Sequence, residues 1–312
     1  MPALALQPLP VDRPWGGHRV ARRFGWDDSR ARGEWWLASC RDDARTPLRV
    51  RDDAPRGAPA DLASWLAGPG RALGLPGPED FPLLVKFLDS EQLLSLQVHP
   101  DDEVAARQGL PRGKTEAWVV LEAEPGACVY LGTAEGVSCA RLLDRVAAGA
   151  GDDEIRSLLR RIEVRPGDVL LVRAGTVHAL GPGLAIFEVQ QNSDTTWRIH
   201  DWGRGRPVHL EQARQSAHDL GPPTVLRGSG ATGWETLLST DAFALRAARV
   251  AGRLALAVPR RYALLTVLEG RGRLAPESDG ARLELAAGDT VFVHGPAALE
   301  GEALSVLVVD PP

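Results

Sequence analysis

The sequence feature that most constrains the fold is a short segment that occurs twice. Pro166-Gly167-Asp168-Val169-Leu170-Leu171-Val172 recurs as Ala287-Gly288-Asp289-Thr290-Val291-Phe292-Val293. In each copy a Gly-Asp pair typical of a tight turn precedes an apolar run typical of a strand. Val120-Leu121-Glu122 and Val267-Leu268-Glu269 form another matching pair upstream of the two copies. In a chain of 312 residues, this repeat predicts two similar β units.

Short apolar segments separated by glycine- and proline-containing turns predict a mainly β fold, either sandwich or barrel. The predicted strands include residues 81–88, 94–99, 113–121, 185–191, 243–250, 254–258 and 303–309. Between residues 139 and 162 the apolar residues change to helical spacing, which predicts two amphipathic helices. Residues 51–79 are rich in Pro, Gly, Ala and Asp and are predicted to be loop with one short helix at 62–66.

The strand at residues 94–99 carries the first candidate functional side chains. Its leucines and valine alternate with polar residues, and residues two apart in a strand share a face. Gln97 and His99 therefore share a face that carries no apolar residue, and Pro100 ends the strand. An amide beside an imidazole on an otherwise apolar strand indicates half of a metal site.

Two later motifs supply candidates for the other half of this site. Glu116 begins an apolar strand after a glycine, and His178 follows an Ala-Gly turn. A divalent ion such as zinc accepts imidazole nitrogen and carboxylate oxygen, and it retains an open position for water or substrate. We therefore predict a metal site built from Gln97, His99, Glu116 and His178.

Lys114 and Glu188 are candidates for roles beside the metal. Lys114 shares a strand face with Glu116, so we expect its ammonium group in the same cavity, where it can stabilise negative charge. Arginine supplies almost all the positive charge, and Lys86 is the only other lysine, which disfavours a solvated role for Lys114. Glu188 shares a strand face with Gln190, and beside a metal it would orient a ligand or act as a general base.

The sequence predicts two β-barrels, of which only the first has a metal site. Residues 1–222 are the predicted metal-binding catalytic domain, with a small helical insertion at about 139–162, and residues 223–312 are a C-terminal β domain. A polar, glycine-rich linker is expected near 228–233. Aligning the repeats places Ala263 at the position of Glu116 and Leu299 at that of His178. The C-terminal domain therefore retains the fold pattern without the metal ligands.

Composition and charge argue against several classes of protein. The net charge of −5 disfavours nucleic acid as a partner. No apolar run is long enough to span a membrane, and the first residues lack the pattern of a signal peptide. Three cysteines without paired spacing fit reduced, buried thiols, so we expect a cytoplasmic protein without a membrane partner. The sequence is compatible with either a monomer or a homodimer.

Four motifs in this order resemble those of type I mannose-6-phosphate isomerases, a cupin family, in their short bacterial form. They are Leu96-Gln97-Val98-His99-Pro100-Asp101-Asp102, Gly113-Lys114-Thr115-Glu116, Ala174-Gly175-Thr176-Val177-His178-Ala179 and Gln190-Gln191-Asn192-Ser193-Asp194-Thr195-Thr196-Trp197-Arg198. The likeness extends from Trp15 to about residue 204. Trp197 and His200 stand where tyrosine is common in the family. We expect Trp197 to pack and His200 to lie near the site.

The resemblance implies two jelly-roll barrels, one zinc ion (Zn2+) per chain and a sugar phosphate as substrate. The implied reaction interconverts mannose 6-phosphate and fructose 6-phosphate through a cis-enediol. The resemblance also implies that Lys114, Glu188, Asp194 and Arg198 line the pocket. Because negative charge grows on oxygen in this reaction, we expect Arg198 to stabilise the enediolate. From the residues alone, Asp194 and Arg198 fit a surface ion pair equally well. The base stays open among Glu188, Asp194 and a metal-bound water.

Three alternative functions fit parts of the pattern. Isomerisation of a related free or phosphorylated sugar is one, because no glycine-rich phosphate loop marks the site. A cupin dioxygenase is disfavoured, because iron oxygen chemistry favours shells with more histidine. A non-catalytic sugar-binding cupin is the alternative from a different class, and the loss of ligands that it predicts occurs only in the C-terminal domain.

Overall fold

A computed structural model of the chain describes residues 3–49, 57–277 and 281–312, so residues 51–56 of the predicted loop lie outside these ranges. The fold is mainly β, as predicted, with antiparallel sheets and short helices. The strands are β1 (Ala3–Leu6), β2 (Leu9–Val11), β3 (Glu34–Ala38), β4 (Cys40–Arg41), β5 (Ala44–Arg45), β6 (Leu83–Ser90), β7 (Leu96–Val98), β8 (Glu116–Ala123), β9 (Cys128–Thr133), β10 (Leu159–Glu163), β11 (Asp168–Val172), β12 (His178–Leu180), β13 (Leu184–Gln191), β14 (Trp197–His200), β15 (Val225–Arg227), β16 (Gly233–Ser239), β17 (Ala244–Leu256), β18 (Ala263–Glu269), β19 (Arg271–Pro276), β20 (Leu283–Ala286), β21 (Thr290–Val293) and β22 (Ala297–Asp310). The helices are α1 (Arg19–Phe24), α2 (Leu62–Trp65), α3 (Asp102–Arg107), α4 (Cys139–Ala147), α5 (Asp152–Ser157) and α6 (Leu210–Ser216), with a π-helical turn at Leu66–Gly70 and a 3₁₀ turn at Pro78–Asp80. Within the three described ranges, no helix is both long and apolar enough to cross a membrane.

Residues 11–34 and 87–226 form one compact unit, which we call the first unit. One of its sheets has the order β10-β9-β12-β7-β14, and another places β8 between β11 and β13. Side chains from both sheets, among them Leu131, Trp118 and Ile186, form one apolar cluster. The other side of the β7 sheet packs on α4, α5 and α6. Every second residue of β7 and β12 therefore projects into the space between the sheets.

Residues 1–10, 35–86 and 227–312 form the second unit. Its sheet has the order β1-β21-β18-β22-β17-β16, and β19 joins β22 to β20. Ala263 and Leu299, the residues aligned with predicted ligands, are fully buried in its apolar core. His294, which has no predicted functional role, packs against Trp65 with ring centroids 5.2 Å apart. The break at residue 226 lies near the predicted one at 222, whereas residues 1–10 and 35–86 group with the C-terminal residues.

Two segments differ from the predicted secondary structure. The predicted helices form as α4 and α5, but residues 159–163 form β10, in which Ile162 lies opposite Val129 of β9. The apolar spacing of this segment fits a helix or a strand, and pairing with β9 satisfies its backbone. The strands predicted at 243–250 and 254–258 form the single strand β17, because Gly252, with a φ of 95°, allows a bulge instead of a break.

The two copies of the repeated segment form the same turn. Gly167 and Gly288 both have a φ of 90°. Each donates its N–H to a valine carbonyl of the neighbouring strand, at 2.8 and 2.9 Å. Asp168 and Asp289 each accept a backbone N–H from three residues earlier, at 3.0 and 2.8 Å. The sequence repeat is therefore also a repeat of local structure.

Candidate metal centre and active site

Gln97 and His178 lie opposite each other across β7 and β12. Opposed residues of an antiparallel pair project to the same face, and here Gln97 Nε2 lies 3.1 Å from His178 Nε2. Their neighbours Leu96, Val98 and Ala179 belong to the apolar cluster against the helices. The alternation predicted for this strand is therefore confirmed, and its polar face points between the sheets.

Glu116 begins β8 and approaches the two histidines from the facing sheet. Glu116, His99 and His178 are each 1% exposed. Glu116 Oε1 lies 3.4 Å from His99 Nε2, and Glu116 Oε2 lies 3.7 Å from His178 Nε2. One donor atom from each of the three residues lies within 4.8 Å of the others. The fold therefore brings three of the predicted ligands together and places Gln97 against one of them.

Backbone carbonyls orient both imidazole rings. His99 Nδ1 lies 2.8 Å from the carbonyl oxygen of Thr195, and His178 Nδ1 lies 2.8 Å from that of Thr176. Because a carbonyl only accepts, each Nδ1 carries the proton and each Nε2 keeps its lone pair. The Nε2 of His99 lies 3.2 Å from Lys114 Nζ, and that of His178 lies 3.1 Å from Gln97 Nε2. Burial lowers the pKa of His178 to about 4, and a neutral ring is the form that binds a metal.

This donor set fits a divalent metal ion. In a tetrahedral site with bonds of about 2.0–2.2 Å, ligand atoms lie about 3.3–3.6 Å apart, close to the separations between Glu116 and the two imidazoles. Among the described residues, Glu116 Oε2 is buried without a hydrogen-bond donor, so it has a lone pair to give. A 180° flip of the Gln97 amide would place its oxygen where Nε2 now lies, beside His178 Nε2, so the oxygen could face the same ion.

Lys114 lies inside the same cluster. Its Nζ lies 2.7 Å from Glu116 Oε1 and 3.2 Å from His99 Nε2, and the side chain is buried. Its backbone N–H donates to the carbonyl of Pro100 at 2.9 Å. The ammonium group is therefore held beside the metal-compatible donors, as predicted, although Lys114 lies just before β8 and not on the strand.

Two hydrogen-bonded side chains fix the segment 113–116, and we call them the Asp102–Gln191 clamp. Gln191 Oε1 accepts the N–H of Thr115 at 2.9 Å, and Gln191 Nε2 donates to both Asp102 carboxylate oxygens at 3.1 and 3.2 Å. Asp102 Oδ1 also accepts the N–H of Gly113 at 2.7 Å. The clamp therefore sets the path by which the chain enters β8 and delivers the side chains of residues 114 and 116.

Arg198 lies opposite Gln97 in the pairing of β14 with β7. Its Nη1 donates to the carbonyl of Pro207 at 2.7 Å, and its Nε lies 3.8 Å from Asp201. Burial lowers the pKa of the Arg198 guanidinium, and the positive charge of Arg206 lowers it further by a smaller amount. Its ion-pair partner is thus Asp201, and no ion pair with Asp194 is found in the described part of the chain.

The two candidate carboxylates have different surroundings. Glu188 is 2% exposed on β13, where it lies opposite Trp118, just as Gln190 lies opposite Glu116. Register therefore places Glu188 on the sheet face that also carries Glu116. Asp194 is exposed in the loop between β13 and β14. Burial therefore distinguishes the two carboxylates, which the sequence analysis left as equal candidates for the base.

The two departures from the family pattern have different outcomes. His200, expected near the site, lies opposite Leu96 and its Nε2 is 2.8 Å from Asp152 Oδ1 of α5. That expectation is wrong, because adjacent residues of β7 project to opposite sides and Leu96 faces the helices. Trp197 packs as expected, and its Nε1 donates to Gln108 Oε1 at 3.1 Å.

Some features of the site have little or no sequence signal. The carbonyls of Thr176 and Thr195 are backbone atoms, so no side-chain pattern marks them as holders of the imidazoles. The Asp102–Gln191 clamp joins two motifs that lie far apart in the chain.

Comparison with known proteins identifies relatives along most of the chain. The family described as phosphomannose isomerase type I, catalytic domain, matches residues 4–117. The chain is 34% identical over 287 residues to the mannose-6-phosphate isomerase of Streptococcus mutans, covering 87% of this chain and 86% of that protein. It is 33% identical over 298 residues to the probable mannose-6-phosphate isomerase GmuF of Bacillus subtilis, covering 91% of each.

Solved structures agree with these sequence matches. The crystal structure of the mannose 6-phosphate isomerase from Bacillus subtilis has a TM-score of 0.84 and 27% identity, covering 98% of this chain and 99% of that one. A putative mannosephosphate isomerase from Archaeoglobus fulgidus, 22% identical with a TM-score of 0.78, covers 99% of this chain and 97% of that one and shares the fold. Fold and site define a mainly β protein with a buried, metal-compatible centre. The chain belongs to the type I phosphomannose isomerase family, a family of aldose–ketose isomerases.

Proposed function

We propose that this chain interconverts mannose 6-phosphate and fructose 6-phosphate. The observation that carries the proposal is the convergence of His99, Glu116 and His178 in a buried cluster, in a chain 34% identical to a mannose-6-phosphate isomerase. A sugar phosphate is then its small-molecule partner, and neither nucleic acid nor a membrane has a role. The reaction class fits a buried centre that combines a metal-compatible donor set with the separate cation of Lys114.

We propose zinc as the cofactor, one ion per chain, held by Gln97, His99, Glu116 and His178. Imidazole nitrogens and a carboxylate suit zinc, and an amide is a weaker ligand that leaves the ion exchangeable. When bound, the ion supplies a Lewis acid that polarises a substrate oxygen. Both rings donate Nδ1–H to backbone carbonyls, an arrangement common around ligand histidines, which fixes the ring orientation.

We propose Glu188 as the base that moves the proton between carbons. In the forward direction the C2–H bond of the open-chain aldose breaks and its electron pair forms the C1–C2 double bond, while the π pair of the C1 carbonyl moves to O1 to give the cis-enediolate. The C2 carbonyl then forms from the electron pair on O2, and the pair of the C1–C2 double bond takes up the proton to form the new C1–H bond. A second proton passes from O2 to O1. One carboxylate placed beside both carbons can accept the proton from C2 and return it to C1. Glu188 is favoured because it is buried on the face that carries Glu116, while exposed Asp194 is proposed to line the pocket entrance.

We propose that Arg198 and Lys114 stabilise the negative charge that grows on oxygen in the enediolate. Arg198 Nε is buried and has no hydrogen-bond acceptor among the residues described, so it has a donor to give to a substrate oxygen. Lys114 is a second fixed cation beside the metal ligands. Charged donors that are already in place in a buried site contribute most as charge develops.

We propose the cupin architecture of two jelly-roll barrels for this chain, with the catalytic domain at 1–222 and a ligand-free barrel at 223–312. Support comes from the matching turns at Gly167 and Gly288, and α4 and α5 are then the helical insertion of the first barrel. We also propose a cytoplasmic location, because Cys40, Cys128 and Cys139 are free, buried thiols. Size-exclusion chromatography with light scattering decides between the monomer and the homodimer.

Metal analysis combined with an isomerase assay tests this function. We expect about one zinc per chain, loss of mannose 6-phosphate turnover on chelation, and recovery when zinc is returned. Activity that survives complete removal of metal would contradict the metal-dependent reaction. Faster turnover of free mannose would favour the free-sugar isomerase, and oxygen uptake by iron-loaded protein would favour the dioxygenase. A zinc-loaded protein without turnover would favour a sugar-binding role.

A further inference from the structure

A cavity of about 320 Å³ lies in the first unit outside the proposed active site. Three segments form most of its walls: 132–137, which begins with the last two residues of β9, 173–176 after β11, and 218–224 beyond α6. None of the proposed metal ligands or catalytic residues lines it. Its volume is at the lower end of the range of small-molecule pockets, about 300–1,000 Å³. The isomerase reaction assigns no role to this cavity.

Two arginines whose guanidinium groups form no ion pair or hydrogen bond with the described residues line this cavity, Arg160 of β10 and Arg173 just after β11. In residues 87–226, most arginines bind a carboxylate or a carbonyl, for example Arg145 with Glu154. The exceptions in this part of the structure are Arg112, Arg141, Arg160 and Arg173. A solvated guanidinium is the ordinary explanation for any one of these. It does not explain why two of the unpaired arginines line the same cavity, Arg160 half-buried and Arg173 at its exposed edge.

The carboxylates that line the cavity do not neutralise these arginines. Asp219 Oδ1 accepts the N–H of Cys139 at 2.7 Å, at the start of α4. Glu135 is exposed and forms no ion pair in the described structure. The cavity therefore presents two guanidinium donors and one free carboxylate acceptor. A guanidinium group recognises phosphate through two parallel hydrogen bonds, and a carboxylate accepts hydroxyl hydrogens.

We propose that this cavity is a second binding site for a phosphorylated polyol or sugar. Arg160 and Arg173 bind the phosphate, and Glu135 accepts hydrogen bonds from hydroxyl groups. Leu171 and Leu220 line the same cavity and cover the carbon skeleton. Such a ligand has the chemistry of the proposed substrate class but occupies a different site, so the site is regulatory rather than catalytic.

The cavity wall also holds the histidines of the metal centre. Thr176 lines the cavity, and its carbonyl accepts from His178 Nδ1 at 2.8 Å. Gly175 donates its N–H to the carbonyl of His99 at 2.8 Å. His218, another lining residue, packs so closely that a Cβ on Gly175 would lie 2.4 Å from its ring. A ligand that joins Arg173 to β10 restrains this segment, so it slows the loss of metal from the histidines.

Titration calorimetry of metal-free protein with glycerol 3-phosphate tests the binding site. The matched control is R112Q/R141Q, which removes two unpaired arginines that do not line the cavity. We expect R160Q/R173Q to lose one class of binding site, with affinity reduced at least about tenfold, and the control to keep it. Equal binding by the two double variants would overturn the proposal. This measurement does not depend on zinc or on turnover, so it stands apart from the test of the isomerase.

Two further measurements test the chemistry and the link to the histidines. Glu135→Gln is expected to weaken glycerol 3-phosphate several-fold and to leave inorganic phosphate unchanged; equal weakening of both would refute the role of Glu135. In zinc-loaded protein, glycerol 3-phosphate is expected to slow zinc transfer to a chelator, and R160Q/R173Q should abolish that slowing while R112Q/R141Q retains it. A zinc transfer rate that does not respond to the ligand would refute the link through Thr176.

Discussion

Replacing Gln191 by leucine removes the Asp102–Gln191 clamp and leaves every proposed ligand and catalytic residue in place. The change deletes the acceptor for the Thr115 N–H and the donor to Asp102. A neutral hydrogen bond contributes about 1 kcal/mol and one to a charged group about 1.5–3 kcal/mol. Because Asp102 is exposed and solvent screens its charge, we take about 1 kcal/mol for its share as well and expect a total loss of about 2 kcal/mol. If that energy positions residues 113–116, zinc affinity falls about 30-fold.

A chelator competition titration measures this loss, and a thermal melt of metal-free protein measures stability. We expect weaker zinc binding together with a lower kcat at saturating zinc, because the clamp aims Lys114 as well as Glu116. The control is Gln215→Leu, which removes an exposed hydrogen bond to Gln108 and should change neither value. A Gln191→Leu protein with a lower melting temperature but unaltered zinc affinity and kcat would refute the reasoning and make the clamp a purely structural feature.

Further substitutions test the proposed roles one by one. Arg198→Ala should lower kcat by about 10²–10³ with zinc content unchanged, and normal turnover would remove Arg198 from the mechanism. Glu116→Gln removes the only anionic ligand, so it should lose zinc on dialysis where the wild type retains it, as metal analysis would record. Glu188→Gln should lower kcat at least about 100-fold and Asp194→Asn much less; the reverse order would exchange their roles. Burial raises the pKa of Cys139 to about 12, so this thiol should resist alkylation at pH 8 in folded protein, and rapid labelling there would show that the α4 region opens.

Sequence alone predicted those parts of the fold and site that depend on neighbouring residues. The alternation at 94–99 placed Gln97 and His99 on one face, because the period of a strand is a local property. The Gly-Asp turns repeated in sequence are repeated in structure, since a positive φ at glycine is also local. Ligand chemistry also indicated which side chains could bind a metal ion, and the structure brings three of the four predicted ligands, His99, Glu116 and His178, together.

Tertiary pairing decided what the local pattern left ambiguous. Residues 159–163 had apolar spacing that suits either element, and the free edge of β9 made them a strand. His200 follows the site motif closely in sequence, which favoured a place near the site. In the structure the register of β14 places it opposite Leu96, and its side chain contacts Asp152. The sequence did not rank Glu188 and Asp194 as candidates for the base. The structure distinguishes them, because Glu188 is buried on β13 and Asp194 is exposed.

The sequence by itself therefore determined which chemical groups the centre contains and the strand faces on which most of them lie. The tertiary structure alone decided what orients those groups: the carbonyls of Thr176 and Thr195 behind the imidazoles, and the clamp behind Lys114 and Glu116. The physical reason is that a strand's period acts between adjacent residues. A hydrogen bond that aims a ligand joins atoms brought together only when distant segments pack.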